Sequence, residues 1–205
     1  MSEDKVSKSQ AEAIKNKAAY WRSYITELAK ELNSSLDYHL LREASLWAST
    51  FAHIEWLASF DHYKEPVTKT EIAETLNRAW DWDVEVSKLF WSSGRNPVAH
   101  VGLANPFHSY RKFNNLDTNV SLNSANNWSE AVTGEWDKYH PHRAVAILPP
   151  LAVEDGTVQL VTFFHQMLLD ELLPKLAEYV YQKIVNEADD IKLTALVELN
   201  SQIPH

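Results

Sequence analysis

The chain has 205 residues with a formal charge of −9, and 45% of the residues are hydrophobic. This length and apolar content suffice for one domain with its own core, and they exclude a disordered chain. The absence of cysteine excludes disulfide scaffolds and cysteine-ligated metal sites, and the low count of 4 glycines favours helices. The acidic balance argues against a general nucleic-acid coating role, but it leaves room for a local cationic site.

The amino terminus is polar from Met1 to Lys5 and lacks the apolar core of a signal peptide. The most apolar stretch, Val158 to Leu169, is too short and too interrupted to span a bilayer. We therefore expect a cytoplasmic protein with no membrane contact. Residues 1–9 are expected to form a flexible tail, and residues 10–205 a single helical domain.

Two long helices are predicted for the first third of the chain. Apolar residues recur every three or four positions over about six helical turns, and Asn33-Ser34-Ser35 then interrupts the pattern. A second stripe runs from roughly Leu36 to His62. Two long helices joined by a short polar turn predict an αα-hairpin. The first stripe consists of Ile14, Ala18, Trp21, Ile25, Leu28 and Leu32.

A third helix is predicted from Thr68 to about Trp91. Thr68 and Glu71 have the spacing of a capping box, in which each residue satisfies the backbone amide of the other. Ser92-Ser93-Gly94 is expected to end this helix.

The second half of the chain changes character. Residues 105–156 hold many turn residues and little apolar periodicity, so we interpret them as an irregular insertion with room for a short β-hairpin. Val120–Leu122 and Ala144–Leu148 are the candidate strands. A last long helix is predicted from Thr157 to Asn186, with a kink or a new first turn at Pro174. Residues 191–199 fit either a short helix or a strand.

The segment Arg95-Asn96-Pro97-Val98-Ala99-His100 carries the most pointed chemistry. Asn is a favoured N-cap and Pro a favoured first-turn residue, so the pattern predicts a helix start at Asn96. Arg95 would then precede the helix, and His100 would lie one turn inside it. An anion at this point would meet free backbone amides, a permanent guanidinium and an imidazole that titrates near neutrality. RNA cleavage without a metal requires such a base, acid and charge stabiliser.

This segment, placed after three helices, resembles the signature of the HEPN superfamily, in which Arg is followed by four to six residues and then His. The resemblance implies an all-α, up-and-down bundle of four to five helices and a metal-independent endoribonuclease that uses no cofactor. Such proteins act as toxins, phage-defence factors or RNA-processing enzymes, and they form homodimers with a composite site. By resemblance, Arg95 and His100 take the catalytic positions and Asn96 the supporting polar one. Gly102 stands where the subgroup paired with a nucleotidyltransferase antitoxin has Tyr, which puts membership of that subgroup in doubt.

A small basic and aromatic patch follows the motif. Tyr110, Arg111 and Lys112, next to Phe113, are candidates for guiding an RNA strand, and a plain surface loop is the alternative. His140-Pro141-His142 could bind a metal ion, but no clear third ligand accompanies it, so a solvated loop is favoured.

Three further expectations complete the sequence hypothesis. Asp61-His62 is interpreted as a favourable charge interaction at a helix end, and His165 as a core histidine. Trp82, Trp91, Trp128 and Trp136 are less obviously buried than the other tryptophans and could stack bases or anchor a dimer. A core position is favoured for each of them singly, and an interface is the alternative for the set. The alternative functions are a non-catalytic helical protein that binds a protein partner or antitoxin, and a helical bundle that binds a nucleotide or another small ligand.

Overall fold

A computed structural model describes residues 3–34, 39–100, 108–123, 144–154, 156–187 and 189–201. Its helices are α1 (Glu3–Ser34), α2 (His39–His62), α3 (Lys69–Trp80), α4 (Val84–His100), α5 (His165–Met167), α6 (Leu173–Glu187) and α7 (Asp190–Ser201), with a π-helical turn at Leu168–Leu172. The described part of the chain is therefore mainly helical, as the sequence predicted. None of these helices combines the length and the apolar character needed to cross a bilayer.

The described residues contain five strands: β1 (His108–Phe113), β2 (Leu116–Asn123), β3 (Val145–Ile147), β4 (Leu151–Val153) and β5 (Gly156–Phe164). They form one small mixed sheet in the order β1-β2-β5-β3, with β4 also paired to β5. Strands β2 and β5 run parallel, and the other pairs are antiparallel. The region predicted as an irregular insertion thus contributes most of a sheet.

Helix α1 packs against α2, α6 and α7. Ile14, Ala18 and Ile25 are buried, which confirms the main part of the predicted stripe, and Ala11, one turn earlier, is buried as well. The helix begins at Glu3 and buries Ser7, so residues 3–9 belong to α1 where a tail was expected. The apolar stripe fades before Ala11 because the next buried position holds a small hydroxyl residue, which hydropathy does not mark as core.

The single helix predicted after Thr68 is in fact two helices. The capping box is present, with the Thr68 amide donating to Glu71 Oε2 at 2.8 Å. Helix α3 ends because Asp81 adopts a left-handed conformation with φ of 58°, which Asp tolerates better than most residues. Asp83 Oδ1 then accepts a hydrogen bond from the Glu85 amide at 2.8 Å at the start of α4. The turn at Asp81 to Asp83 therefore divides the helix, although the apolar pattern continues across it.

Strand β5 replaces the first part of the predicted last helix, so the prediction of helix from Thr157 onward is wrong as far as Phe164. Gln159, Val161 and Phe163 are buried at alternating positions, as a strand requires. A short apolar run fits both periods, and here the partner strands on both sides of β5 decided between them.

The hairpin of β1 and β2 turns at Asn114 and Asn115, whose φ angles are 52° and 63°. Two residues with positive φ make the tight turn that matches the twist of the flanking strands, and Asn tolerates this conformation. The strand predictions for Val120–Leu122 and Ala144–Leu148 are confirmed, the latter as β3. Pro149-Pro150 separates β3 from β4 because proline cannot donate to the ladder.

The helical run after β5 is continuous but irregular around Pro174. A proline leaves the carbonyl four residues earlier without its helical hydrogen bond, and the π-helical turn at Leu168–Leu172 accommodates that conflict. Pro174 therefore lies in the first turn of α6, one of the two outcomes expected from the sequence. Residues 191–199, which fitted either element, belong to α7.

An aromatic cluster joins the helices to the sheet. The Phe163 ring of β5 lies 4.9 Å from Phe90 of α4 and 5.7 Å from Trp82, measured between ring centroids. Trp82 and Trp91 are both buried, which confirms the core position favoured for each of them singly and does not support the interface considered for the set. Trp128 and Trp136 lie outside the described residues. This core fixes the sheet against α4, the helix that carries the Arg95 to His100 segment.

Candidate functional site

The Arg95 to His100 segment lies inside α4, which runs without interruption from Val84 to His100. Asn96 is therefore not an N-cap and Pro97 does not open a helix, so the predicted helix start is wrong. Amides in a helix interior donate to carbonyls four residues earlier. The free amides expected at this point, and the anion site built on them, are consequently absent from α4.

Gly94 explains why the helix continues where a stop was predicted. A Cβ added at Gly94 would lie 1.9 Å from the Cζ atom of Phe51 on α2. Phe51 cannot easily yield, since its ring packs against Phe90 at 4.9 Å and Trp91 at 5.5 Å. Glycine is needed here for the close approach of α2 and α4, and it sits in the helix for that reason.

Arg95 is placed at the surface of the helical layer. Its Nη2 atom lies 3.5 Å from Glu55 Oε2 on α2, and the two side chains are 33% and 34% exposed. A half-exposed pair at that distance holds the guanidinium only weakly. The positive charge of Arg95 therefore stays accessible to an anion.

His100 and Asn96 have their backbone in α4, but their side chains lie outside the described residues. Residues five apart on a continuous α-helix differ by roughly 140° around its axis. Arg95 and His100 thus occupy different sides of α4, and helix geometry alone does not direct both toward one group.

A groove lies beside α4, where the starts of α3 and α4 meet the β1–β2 hairpin, with a volume of about 310 Å³. Four cationic residues and one carboxylate line it, in a chain whose formal charge is −9. We call it the basic groove. Its lining residues are Lys69, Glu85, Lys88, Leu89, Ser92, Arg111, Lys112 and Phe113.

The hairpin presents Arg111 to the helix. The strand register pairs Arg111 with Thr118, a buried residue on the face that packs toward the helices. Arg111 Nη2 donates a hydrogen bond to the Ser92 carbonyl of α4 at 3.1 Å. The contact anchors the hairpin to α4 and fixes one wall of the groove.

The lysines of the basic groove are held less firmly. Lys112 Nζ lies 3.7 Å from Asp117 Oδ1, and both side chains are at least 70% exposed. Lys88 Nζ lies 2.7 Å from Glu85 Oε1. Exposed pairs of this kind contribute about 0–1 kcal/mol and give way to other anions.

Two of the three residues predicted to contact a substrate are thus brought together. Arg111 and Lys112 line the same groove, on a strand where the alternative interpretation had a surface loop. Tyr110 belongs to β1, with its side chain outside the described residues. The sequence analysis did not single out Lys69 and Lys88. Their neighbours on the same helix face do not indicate a groove, because the groove forms only where the β1–β2 hairpin packs against α3 and α4.

The groove and Arg95 share one side of α4. Lys88, Ser92 and Arg95 follow one another at spacings of four and three residues, which places them along one face of a helix. An extended anion that follows the groove along α4 would therefore reach the Arg95 guanidinium. This arrangement brings the predicted catalytic Arg and the predicted substrate patch onto one surface.

A second charged cluster, which the sequence did not reveal, surrounds the buried carboxylate of Asp61 at the end of α2. Lys183 Nζ of α6 lies 2.5 Å from Asp61 Oδ1, and Arg78 Nη2 of α3 lies 2.6 Å from Oδ2. The Thr75 hydroxyl donates to Oδ2, and the Tyr179 hydroxyl donates to Oδ1 at 3.1 Å. We call this set the Asp61 network.

The Asp61 network is satisfied from within the protein. Burial pushes the pKa of Asp61 upward, but the hydrogen bonds from Lys183, Thr75 and Arg78 outweigh that effect and hold the pKa below its usual value. The predicted helix-end interaction of Asp61 and His62 therefore missed the hydrogen bonds that Asp61 accepts from α3 and α6. The carboxylate instead ties α2, α3 and α6 together, and it offers no open position to a ligand.

The described histidines do not form a metal centre. His165 is buried, with Thr50 Oγ1 2.8 Å from its Nε2 atom, which confirms the prediction of a core histidine. Among the described residues no group of three potential ligands is suited to hold a metal ion. His140-Pro141-His142, the candidate metal pair, lies outside them.

Comparisons of the chain with models of protein families, with curated proteins and with solved structures found no match. The basic groove places four cationic side chains beside α4, and Arg95 adds a partly exposed guanidinium on the same face of that helix.

Proposed function

We propose that this protein is a metal-independent, HEPN-type endoribonuclease of the cytoplasm that binds RNA in the basic groove and cleaves it with Arg95 and His100. The observation that carries the proposal is the concentration of four cations in one groove of an acidic chain, on the same helical face as Arg95. Phosphate neutralisation by Lys and Arg is the main source of affinity for a nucleic-acid backbone.

In this mechanism His100 removes the proton from the ribose 2′-hydroxyl, and the oxygen attacks the adjacent phosphorus. Arg95 stabilises the negative charge that develops on the phosphate oxygens, since it stays protonated throughout. A second proton-transfer group protonates the departing 5′-oxygen. The products are a 2′,3′-cyclic phosphate and a free 5′-hydroxyl.

We assign the second proton-transfer group to another copy of the chain. Arg95 and His100 occupy different sides of α4, so a site with an acid, a base and a guanidinium is more readily built from two copies than from one. A homodimer would place the two α4 helices against each other and join the two basic grooves. Toxin, phage-defence and RNA-processing roles are all compatible with such an enzyme, and a protein partner or antitoxin would act by covering the groove.

The test is cleavage of a labelled single-stranded RNA by the full chain. We expect activity that survives EDTA and leaves a 2′,3′-cyclic phosphate. His100→Ala should reduce the rate at least about 100-fold, the contribution of a general base, while the melting temperature moves little. Arg95→Lys should lose most of the rate, because a point charge does not replace a planar guanidinium.

Lys8→Gln, on the exposed part of α1, is the matched control for loss of one charge far from the groove and should cleave at the parental rate. Size-exclusion chromatography with light scattering should show a dimer. An activity that EDTA abolishes would refute the mechanism. If the parent protein binds RNA but shows no cleavage that depends on His100, the groove is an RNA-binding site and the proposed enzymatic activity is refuted.

A further inference from the structure

A second cavity lies between α1 and α6, away from the elements that form the basic groove, with a volume of about 410 Å³. We call it the α1–α6 cleft. Its walls are mainly apolar, with Ala18 of α1 facing Leu173 and Pro174 of α6. A cavity of this size and lining is typical of sites for small organic ligands.

His53 lines the cleft from α2, and it is an unusual floor residue. Its side chain is 1% exposed, and its Nδ1 atom has no hydrogen-bond partner among the described residues. The ring is held in place by Trp21 at 5.1 Å and Trp56 at 5.9 Å. Buried polar atoms are nearly always paired, so a buried Nδ1 atom without a partner indicates a missing hydrogen-bonding group.

The charges around the cleft favour an anion. Lys15 and Glu178 neutralise each other through a 2.6 Å ion pair. Arg22 and Lys175 also line the cleft, and neither has an ion-pair partner among the described residues. The Arg22 charge acts on His53, since it lowers the pKa of that ring in addition to the larger effect of burial, and the two groups are therefore neighbours.

We propose that the α1–α6 cleft binds a small carboxylate with an apolar body, its carboxylate contacting Arg22 and His53 and its body lying between Ala18 and Leu173. A neutral histidine protonated on Nδ1 donates one hydrogen bond after a small turn of its ring toward the cleft, and Arg22 donates the others. The Glu178 carboxylate on the cleft wall favours a monoanion over a phosphate dianion. This site is independent of the basic groove and of the cleavage reaction.

The test is calorimetric titration of the full chain with octanoate, with 3-phenylpropionate and with 1-octanol, which lacks the charge. We expect at least one carboxylate to bind with Kd below about 1 mM, and the alcohol to bind at least about tenfold more weakly. Tighter binding of octanoate would indicate an aliphatic natural ligand, and tighter binding of 3-phenylpropionate an aromatic one. Alcohol that binds as well as octanoate would overturn the proposal, as would no binding of either carboxylate.

Variants separate the site from general charge effects. Arg22→Gln and His53→Phe should each weaken carboxylate binding about tenfold, and Ala177→Met should fill the cleft and abolish it. Lys17→Gln, which removes one charge from α1 outside the cleft, should change nothing. His53→Phe keeps an aromatic ring between the two tryptophans and should not lower the melting temperature. Equal weakening by Arg22→Gln and Lys17→Gln would refute a specific site.

Discussion

The basic groove and the Asp61 network contain the same types of charged residue, but we expect the groove to bind a ligand and the network to stabilise the fold. In the Asp61 network the carboxylate is fully buried and the Lys183 side chain is 19% exposed. In the basic groove Lys112 is 77% exposed, and its ion-pair partner Asp117, next to the groove, is 70% exposed. Charge alone does not distinguish a binding surface from a structural contact.

The two sites differ in how completely their charged groups are hydrogen-bonded within the protein and in how exposed those groups are to solvent. Every donor around Asp61 already points at an acceptor within the protein, so a ligand would have to break bonds that are strengthened by burial. Lys88 and Lys112 are paired with carboxylates that are at least 61% exposed, and solvent screens such contacts so that phosphate can replace them. The comparison predicts that changes at Asp61 act on folding, and that changes at the groove lysines act on binding.

The largest expected effect is that of Asp61→Asn. It removes the charge that compensates Lys183 and Arg78, and losing one partner of a buried ion pair costs about 3–5 kcal/mol. Urea unfolding followed by tryptophan fluorescence should show this loss in the free energy of unfolding. Glu27→Gln, which removes one partner of an exposed pair with Lys30, should cost less than about 0.5 kcal/mol.

An equal, small loss for both variants would mean that the Asp61 network contributes no more than a surface pair. RNA binding by the folded fraction of Asp61→Asn should match the parent, because the network shares no residue with the basic groove.

The next largest effect is acid destabilisation. Burial lowers the pKa of His165 to about 3, and burial together with Arg22 lowers that of His53 to about 3, from 6.5 in the unfolded chain. The unfolded state therefore binds more protons, so stability is complete above pH 6.5 and falls by about 1.4 kcal/mol per pH unit for each histidine as the pH drops toward 3. The Asp61 contribution is lost only at lower pH, below its unfolded value of 3.8.

Urea titrations at pH 7, 6 and 5 measure this slope, and His53→Phe should halve it. A stability that stays constant from pH 7 to pH 5 would contradict the buried, neutral state of both rings.

The sequence predicted the fold where periodicity was long and failed where two patterns compete. The stripe of α1 and the capping box at Thr68 were found because each follows from local geometry. Strand β5 was misassigned because a nine-residue segment that mixes apolar and polar residues fits both periods, and its pairing with β2 and β3 identifies it as a strand. Asp61 looked like a helix-end residue, since Lys183 lies 122 positions away.

For the candidate site, the sequence identified residues but not their geometry. Arg111 and Lys112 stood out as adjacent cations, and they do line the groove. Asn96-Pro97 predicted a helix start from propensities that hold for an isolated segment. In the folded chain α4 continues through this segment, and at Gly94 it packs closely against Phe51 of α2, a residue 43 positions earlier in the sequence.

Gly94→Ala tests whether this helix contact holds the groove in place. The added methyl group has no room against Phe51, and such overpacking costs about 1–3 kcal/mol. Thermal unfolding should show the loss, with weaker RNA binding as α4 shifts relative to β1. In a Phe51→Leu background the alanine should be better tolerated, and double-mutant analysis should give a coupling energy of at least about 1 kcal/mol. Additive effects would mean that the two residues do not meet.

The smallest effect on stability, and the sharpest test of the comparison, comes from the groove lysines. Lys69→Gln, Lys88→Gln and Lys112→Gln should each change the free energy of unfolding by less than about 0.5 kcal/mol. Each should nevertheless weaken binding of single-stranded RNA several-fold and reduce the slope of log K against log salt by about 0.7. Fluorescence anisotropy at about 50 to 200 mM salt measures both the RNA affinity and this slope. Lys8→Gln should leave the slope unchanged. A slope that falls equally for Lys8→Gln and for the groove variants would show that RNA responds to net charge alone and not to this groove.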